Sequence, residues 1–128
     1  MRDHTQLRVF HLADQLAMSV YAHSRHFPAE ERYGLTSQTR RAAVSVAANI
    51  VEGCARTSGR DYLQFIVIAY GSARELQYEI SLCTRLGYLT AEAADDLERQ
   101  CSETTKSLNA LVTALRTRVS GRDGRSDS

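Results

Sequence analysis

The hydrophobic residues of this chain recur at spacings of three and four, which is the pattern of amphipathic α-helices. The pattern predicts four helices, over residues 6–26, 36–56, 58–86 and 90–119. Pro28 ends the first helix, because proline cannot continue one. Short loops join the four segments, so the predicted fold is all-α, an antiparallel up-down-up-down four-helix bundle.

Capping residues mark the breaks between the predicted helices. Thr36, Ser58 and Thr90 are good N-caps for the second, third and fourth helices. Gly87 is the predicted C-cap of the third helix, because glycine readily adopts the left-handed conformation found there.

Length and composition indicate one ordinary globular domain. The chain has 128 residues, of which 43% are hydrophobic and 24% are charged. We assign residues 1–119 to the bundle and the polar residues 120–128 to a disordered tail. The longest stretch without charge, residues 62–73, is too short for a membrane span of about 20 residues. No signal peptide is evident, and a cytoplasmic location is expected.

Neither a cofactor nor a metal site is expected. The cysteines Cys54, Cys83 and Cys101 are widely spaced in apolar contexts, which indicates reduced core residues more than a disulfide or metal role. The histidines lie in or just before the first helix, and no Glu-x-x-His motif accompanies them. The four histidines are His4, His11, His23 and His26. We therefore expect no catalytic residues.

Charge is balanced overall but uneven along the chain. The net charge is +1, so no global field favours nucleic acid or membranes. Residues 32–60 hold five arginines and one acid, whereas residues 75–103 hold seven acids and two arginines. This asymmetry has two interpretations: self-complementary assembly, or cancellation within one bundle.

The second predicted helix carries a narrow polar stripe on an otherwise apolar surface, within a sector of about 80°. Antiparallel folding onto the third helix sets Arg41 near Glu75 and Ser45 near Ser72, with Gln38 near Glu79. The stripe is interpreted either as a buried network between the two helices or as a solvated face. The predicted network comprises Gln38, Arg41, Ser45, Asn49, Glu52, Ser72, Glu75 and Glu79.

Two glycines interrupt helical segments. Glycine inside a helix costs about 1 kcal/mol relative to alanine. Gly53 and Gly71 are therefore expected to have a packing reason.

Three spaced motifs carry a family resemblance. They read Phe27-Pro28-x-x-Glu31-x-Tyr33-Gly34-Leu35-Thr36-x-Gln38, Arg41-Ala42-x-x-Ser45-x-x-x-Asn49-Ile50-x-Glu52-Gly53 and Phe65-x-x-x-Ala69-x-Gly71-Ser72-x-x-Glu75-Leu76. Over roughly residues 7–117 the chain resembles the four helix bundle proteins, also called 23S ribosomal RNA intervening-sequence proteins. The resemblance implies a bundle that assembles as a homopentamer. It also implies kinship with accessory proteins of diversity-generating retroelements, which bind a reverse transcriptase and nucleic acid.

The leading functional hypothesis is a non-enzymatic, oligomeric binding or scaffold protein that associates with RNA, DNA or a nucleoprotein. The alternative is a small helical-bundle enzyme or ligand carrier that uses the polar stripe as a pocket. Arg41 is excluded from nucleic-acid contacts, because internal pairing is expected to neutralise it. The candidate nucleic-acid contacts are Arg40, Arg56, Arg60, Arg116 and Arg118, and the candidate oligomer interface is Tyr62, Phe65, Ile66 and Tyr70, with Val67 beside them.

Overall fold

Four α-helices make up most of the chain in the computed structural model, which describes residues 2–126 and the side chains of residues 2–121. The helices are α1 Arg8–Ser24, α2 Leu35–Cys54, α3 Gly59–Arg85 and α4 Ala91–Ser126. Single turns of 3-10 helix precede α1 and α2, at His4–Gln6 and Ala29–Glu31. The predicted all-α fold class is confirmed.

Each helix packs against two others. Helices α1 and α3 each contact both α2 and α4, whereas the two diagonal pairs do not approach each other within the described residues. Along the α2–α3 interface, Ser45 contacts Ser72 and Gly53 lies against Phe65. Residue numbers that rise along α2 therefore meet numbers that fall along α3, so these two helices are antiparallel.

The core consists of two stacked clusters of buried side chains, one towards each end of the bundle. The cluster near the α2–α3 turn contains Val9, Ala13, Val46, Ile50, Cys54, Tyr62, Ile66, Ala69, Ala73, Leu108, Val112 and Leu115. The other contains Leu16, Val20, Ala42, Ala43, Leu76, Ile80, Leu97 and Cys101. All three cysteines are buried and free, which agrees with their interpretation as core residues.

Helix α2 starts differently from the prediction. It begins at Leu35, so Thr36 lies inside the helix and is not its N-cap. Glu31, in the preceding turn, takes the capping role: its Oε1 accepts a hydrogen bond from the Leu35 backbone N–H at 3.2 Å. The hydroxyl of Tyr88 donates to Oε2 of Glu31 at 2.8 Å. One carboxylate therefore joins the start of α2 to the loop that follows α3.

The other predicted caps are confirmed. Ser58 Oγ accepts from the Asp61 backbone N–H at 3.0 Å, and Thr90 Oγ1 accepts from that of Ala93 at 3.1 Å. Gly87 has φ of +80°, a conformation that favours glycine. Its N–H donates to the Thr84 carbonyl and that of Tyr88 to the Cys83 carbonyl, which is the Schellman arrangement.

The end of α4 also differs from the prediction. The helix continues to Ser126 rather than ending near Val119. Residues 127 and 128, the last of the predicted tail, lie outside the described residues. The division into residues 1–119 and a disordered segment 120–128 stays a prediction about the protein in solution.

The two helical glycines have different surroundings. A Cβ atom on Gly53 would lie 2.9 Å from Cβ of Phe65 and 3.3 Å from Cδ1 of Tyr62. Gly53 therefore permits the close approach of α2 and α3. A Cβ atom on Gly71 would meet nothing within 4 Å, so the expected packing reason for this glycine is absent inside the described chain.

We predict that Gly53→Ala lowers the free energy of unfolding by about 1–3 kcal/mol, because the added methyl group forces α2 and α3 apart. Gly71→Ala is the matched control and should stabilise the dissociated bundle by up to about 1 kcal/mol through helix propensity. Urea denaturation of dilute protein measures both. Equal effects of the two substitutions would contradict the assignment of Gly53 as the close-approach position.

Candidate functional site

The centre of the polar stripe is a small hydrogen-bond network between α2 and α3. The hydroxyl oxygens of Ser45 and Ser72 lie 2.9 Å apart. Asn49 Nδ2 donates to the carbonyl of Ser45 at 2.8 Å and to its hydroxyl at 3.0 Å. These side chains are half-buried and satisfy one another, so this part of the stripe is an inter-helix contact.

Arg41 and Glu75 do not form the predicted pair. Both side chains are exposed, and no ion pair between them occurs among the described residues. Arg41 Nη2 instead donates to Ser37 Oγ, one turn earlier on α2, at 3.1 Å. The expectation that Arg41 is neutralised internally is therefore wrong, because antiparallel register alone does not bring two long exposed side chains together.

Glu79 is the buried charge-bearing residue of the stripe. Its side chain is only 4% exposed, and its Oε1 has no hydrogen-bond partner. Burial, followed by the negative charge of nearby Glu75, raises the pKa of Glu79 to about 7. Gln38, the expected neighbour of Glu79, is exposed and does not satisfy this carboxyl group. Glu52 is exposed as well, so the stripe is not one continuous network.

A cluster of arginines lies at the end of the bundle that contains the α2–α3 turn. Arg56 lies in the turn between α2 and α3, Arg60 lies in the first turn of α3, and Arg116 and Arg118 lie in the last third of α4. Arg2 joins them from the N-terminal segment. A cavity of about 150 Å³ at this end is lined by Arg2, Ser58, Gly59, Arg60, Leu115, Arg118 and Val119. We call Arg2, Arg56, Arg60, Arg116 and Arg118 the arginine end.

Two arginines of this end stack on aromatic rings. The guanidinium of Arg2 lies 4.0 Å from the centre of the Tyr62 ring, and that of Arg56 lies 4.6 Å from the centre of the Phe65 ring. Arg2 Nη1 also donates to the Arg56 carbonyl at 3.1 Å. Such stacking holds a guanidinium plane while leaving its edge free for an anion.

Arg2 was missed by sequence reasoning. It precedes the first helix and belongs to no periodic pattern, and its contacts lie 54 residues away along the chain. Its backbone N–H donates to the carbonyl of Cys54 at 2.8 Å, which fixes the N-terminal segment against the end of α2.

Arg40 does not belong to the arginine end. It lies in the first half of α2, where its Nε donates to Ser24 Oγ at 2.8 Å. Its guanidinium lies 4.7 Å from the centre of the Tyr21 ring. The structure therefore separates Arg40 from the other four candidate nucleic-acid contacts.

The predicted oligomer interface is partly wrong. Tyr62 and Ile66 are 3% and 0% exposed and belong to the core, so they cannot contact another protein chain. Phe65 and Tyr70 are half-buried. Helix α3 turns this aromatic side inward because it packs against α2 and α4 at once. Val67, which the prediction placed beside these residues, is exposed, and so is its neighbour Ile68.

Within the described residues, no helix combines the length and apolarity that crossing a membrane would require.

Comparison with known families gives a direct match. A family model described as "23S rRNA-intervening sequence protein" covers residues 5–110. The chain belongs to this family. The three motifs that carried the resemblance fall within the matched residues, and several of their members form the contacts described above. They include Glu31 at the start of α2, the pair Ser45 and Ser72, and Gly53.

A solved structure supports the same fold. It is described as a protein with unknown function from the S23 ribosomal protein family of Bacteroides thetaiotaomicron. The two chains are 23% identical, with a TM-score of 0.76 over 81% of this chain and 97% of that one. A comparison with curated proteins finds no match. Neither the description of the family nor that of the solved structure names an enzymatic activity.

We predict that stability falls as Glu79 ionises. Its folded pKa of about 7 lies above the usual 4.5, so the protonated form stabilises the fold below about pH 4.5. That contribution, about 3 kcal/mol, is lost as pH rises through 7. Glu79→Gln should therefore gain stability relative to wild type between about pH 5 and pH 8 in urea denaturation. Glu52→Gln, an exposed carboxylate of the same stripe, should track the wild type. If the free energy of unfolding varies with pH in the same way for Glu79→Gln and wild type, Glu79 is solvated.

Proposed function

We propose that this protein is a non-enzymatic, homo-oligomeric binding protein whose arginine end contacts the phosphate backbone of nucleic acid. The observation that carries the proposal is the convergence of five arginines, from the N-terminal segment, the α2–α3 turn, α3 and α4, on one end of a bundle with net charge +1. Guanidinium groups match phosphate geometry and donate two parallel hydrogen bonds to it.

The mode of binding follows from the kind of side chain involved. Arginine contacts to phosphate position a nucleic acid without reading its sequence. The binding should therefore be tolerant of sequence and steeply dependent on salt, because each neutralised phosphate releases counterions. One copy presents few cations, and an oligomer would multiply them in one body, which raises avidity.

Oligomerisation is supported by the exposed face of α3. Gly71 lies at the centre of this face, and the described residues give no intramolecular reason for its cost in helix stability. Ile68 and Val67, one turn earlier, are 45% and 36% exposed. A glycine beside exposed apolar side chains suits the close approach of another helix, and we propose a second copy of this chain. The family resemblance sets the proposed number at five.

The proposal extends to partners and location. Kinship with retroelement accessory proteins adds a reverse transcriptase to the proposed partners, beside RNA or DNA. Three free thiols suit a reducing, cytoplasmic environment. The alternative of an enzyme or ligand carrier has less support, because the centre of the polar stripe is filled by hydrogen bonds among its own side chains.

We expect light scattering to give the mass of a homopentamer at micromolar concentration. Gly71→Gln should reduce the mass towards that of the monomer, because a long side chain blocks close helix approach. Helical content measured by circular dichroism should not change, since no described residue lies within 4 Å of a Cβ atom at this position. Met18→Gln, at an exposed apolar position of α1, is the matched control and should leave the mass intact. A wild-type protein that stays monomeric at these concentrations would contradict the proposal.

Replacing Arg56 and Arg60 with Gln should strongly weaken gel shifts of RNA and DNA while the oligomer persists. The salt slope of the remaining affinity should fall by about one for each phosphate that the protein no longer neutralises. Arg85→Gln is the matched control, because Arg85 also lies over an aromatic ring, that of Tyr78, but away from the arginine end. Absence of any shift by wild-type protein at low salt would leave a purely protein-binding role.

A further inference from the structure

A second cationic surface lies on the other half of the bundle from the arginine end. It is a groove of about 620 Å³ between the end of α1, the loop before α2 and the first turns of α2. We call it the tyrosine–arginine groove. It is lined by Tyr21, Arg32, Tyr33, Thr36, Ser37, Arg40, Arg41, Val44 and Ser45, a set without any carboxylate.

The three arginines of the groove have neutral partners. Arg40 bonds to the hydroxyl of Ser24, Arg41 bonds to the hydroxyl of Ser37, and Arg32 lies 5.5 Å from the centre of the Tyr33 ring. None of them forms an ion pair within the part of the chain that the structure describes. Three guanidinium groups therefore share one surface without an ion pair among the described residues, although the chain contains 15 acids.

The two tyrosines add flat apolar surface to these charges. The Tyr33 side chain is 88% exposed and that of Tyr21 is 43% exposed. A guanidinium lies over each ring, at 5.5 Å for Tyr33 and 4.7 Å for Tyr21. Aromatic rings interleaved with guanidinium groups are the composition that binds unstacked bases and phosphates together.

We propose that the tyrosine–arginine groove binds a short segment of single-stranded nucleic acid, with bases stacked on Tyr21 and Tyr33 and phosphates on Arg32, Arg40 and Arg41. The inference rests on the proposed function and adds to it a preference for single strands. Bases in a duplex are already stacked on one another, so they cannot stack on these rings.

Other occupants use the groove less completely. An acidic protein surface would neutralise the arginines but leave both tyrosine rings in water. A mononucleotide supplies one phosphate group for three guanidinium groups. A strand supplies successive bases and phosphates, which match the alternation of rings and cations in the groove.

The groove and the arginine end lie towards opposite ends of α2. Arg41 lies near the start of this helix and Arg56 lies just after its last residue, so the helical rise over residues 41–54 alone separates the two sites by about 20 Å. Substitutions in one site therefore leave the other untouched, and the two contributions can be measured separately.

The test measures binding of a fluorescein-labelled oligouridylate and of a duplex RNA to the full-length protein by fluorescence anisotropy. Tyr33→Ala should weaken binding of the single strand about tenfold, within the range for loss of one stacked base, and leave duplex binding unchanged. Arg41→Gln should weaken single-strand binding and lower its salt slope by about 0.7. Tyr78→Ala is the matched control, because Tyr78 is also exposed and also lies near an arginine, Arg85.

The outcomes separate this inference from the proposed function. If Arg56→Gln with Arg60→Gln abolishes binding while Tyr33→Ala has no effect, the groove is not a nucleic-acid site and the arginine end is. If Tyr33→Ala weakens binding and the Arg56 and Arg60 variants do not, the groove is a nucleic-acid site and the arginine end is not. Equal affinity for uridine monophosphate and the oligomer would overturn the assignment to a strand. So would loss of oligomer mass in Arg41→Gln, which would identify a second copy of this chain as the occupant.

Discussion

The close approach of α2 to α3 is the constraint on which the rest of this structure depends. Gly53 leaves room for Phe65 and Tyr62 at one end of the interface. Ser45 and Ser72 are small enough to bond across its middle. With the two helices held this closely, their apolar sides pack with α1 and α4 to form the two core clusters. The same approach directs Tyr62 inward, where the guanidinium of Arg2 can stack on its ring at the arginine end.

Two carboxyl groups of this bundle, those of Glu31 and Glu79, have opposite surroundings. Glu31 stays half-exposed and accepts hydrogen bonds from the start of α2 and from Tyr88, so its negative charge joins three elements at one end. Glu79 lies within the bundle with one oxygen unsatisfied, and burial raises its pKa to about 7. An unpaired carboxylate in such a place is costly, and protonation is the cheaper state. The free energy of unfolding therefore depends on pH near neutrality.

Arginines in this chain are mostly held by rings and hydroxyl groups. Arg40 and Arg56 each lie over an aromatic ring, and Arg41 bonds to a serine hydroxyl. Such partners fix the guanidinium without cancelling its charge. The chain therefore keeps cationic surfaces in spite of a net charge of only +1. The net charge does not reveal this distribution, because it sums the charges of surfaces that face different directions.

The sequence by itself determined the helices and most of their caps, because periodicity and capping are local. Ser58, Gly87 and Thr90 act within a few residues of their own positions. The cap of α2 was mistaken although Glu31 lies only four residues before Leu35, because Tyr88, 57 residues away, holds the carboxylate in place. Register along antiparallel helices also predicted that Ser45 and Ser72 would meet. Only the tertiary structure decided which side of α3 faces inward and which charges find partners. The inward side of α3 depends on three helices packing at once. The charge partners depend on long side chains, each of which can reach several groups. The spacing of residues along one helix determines neither outcome.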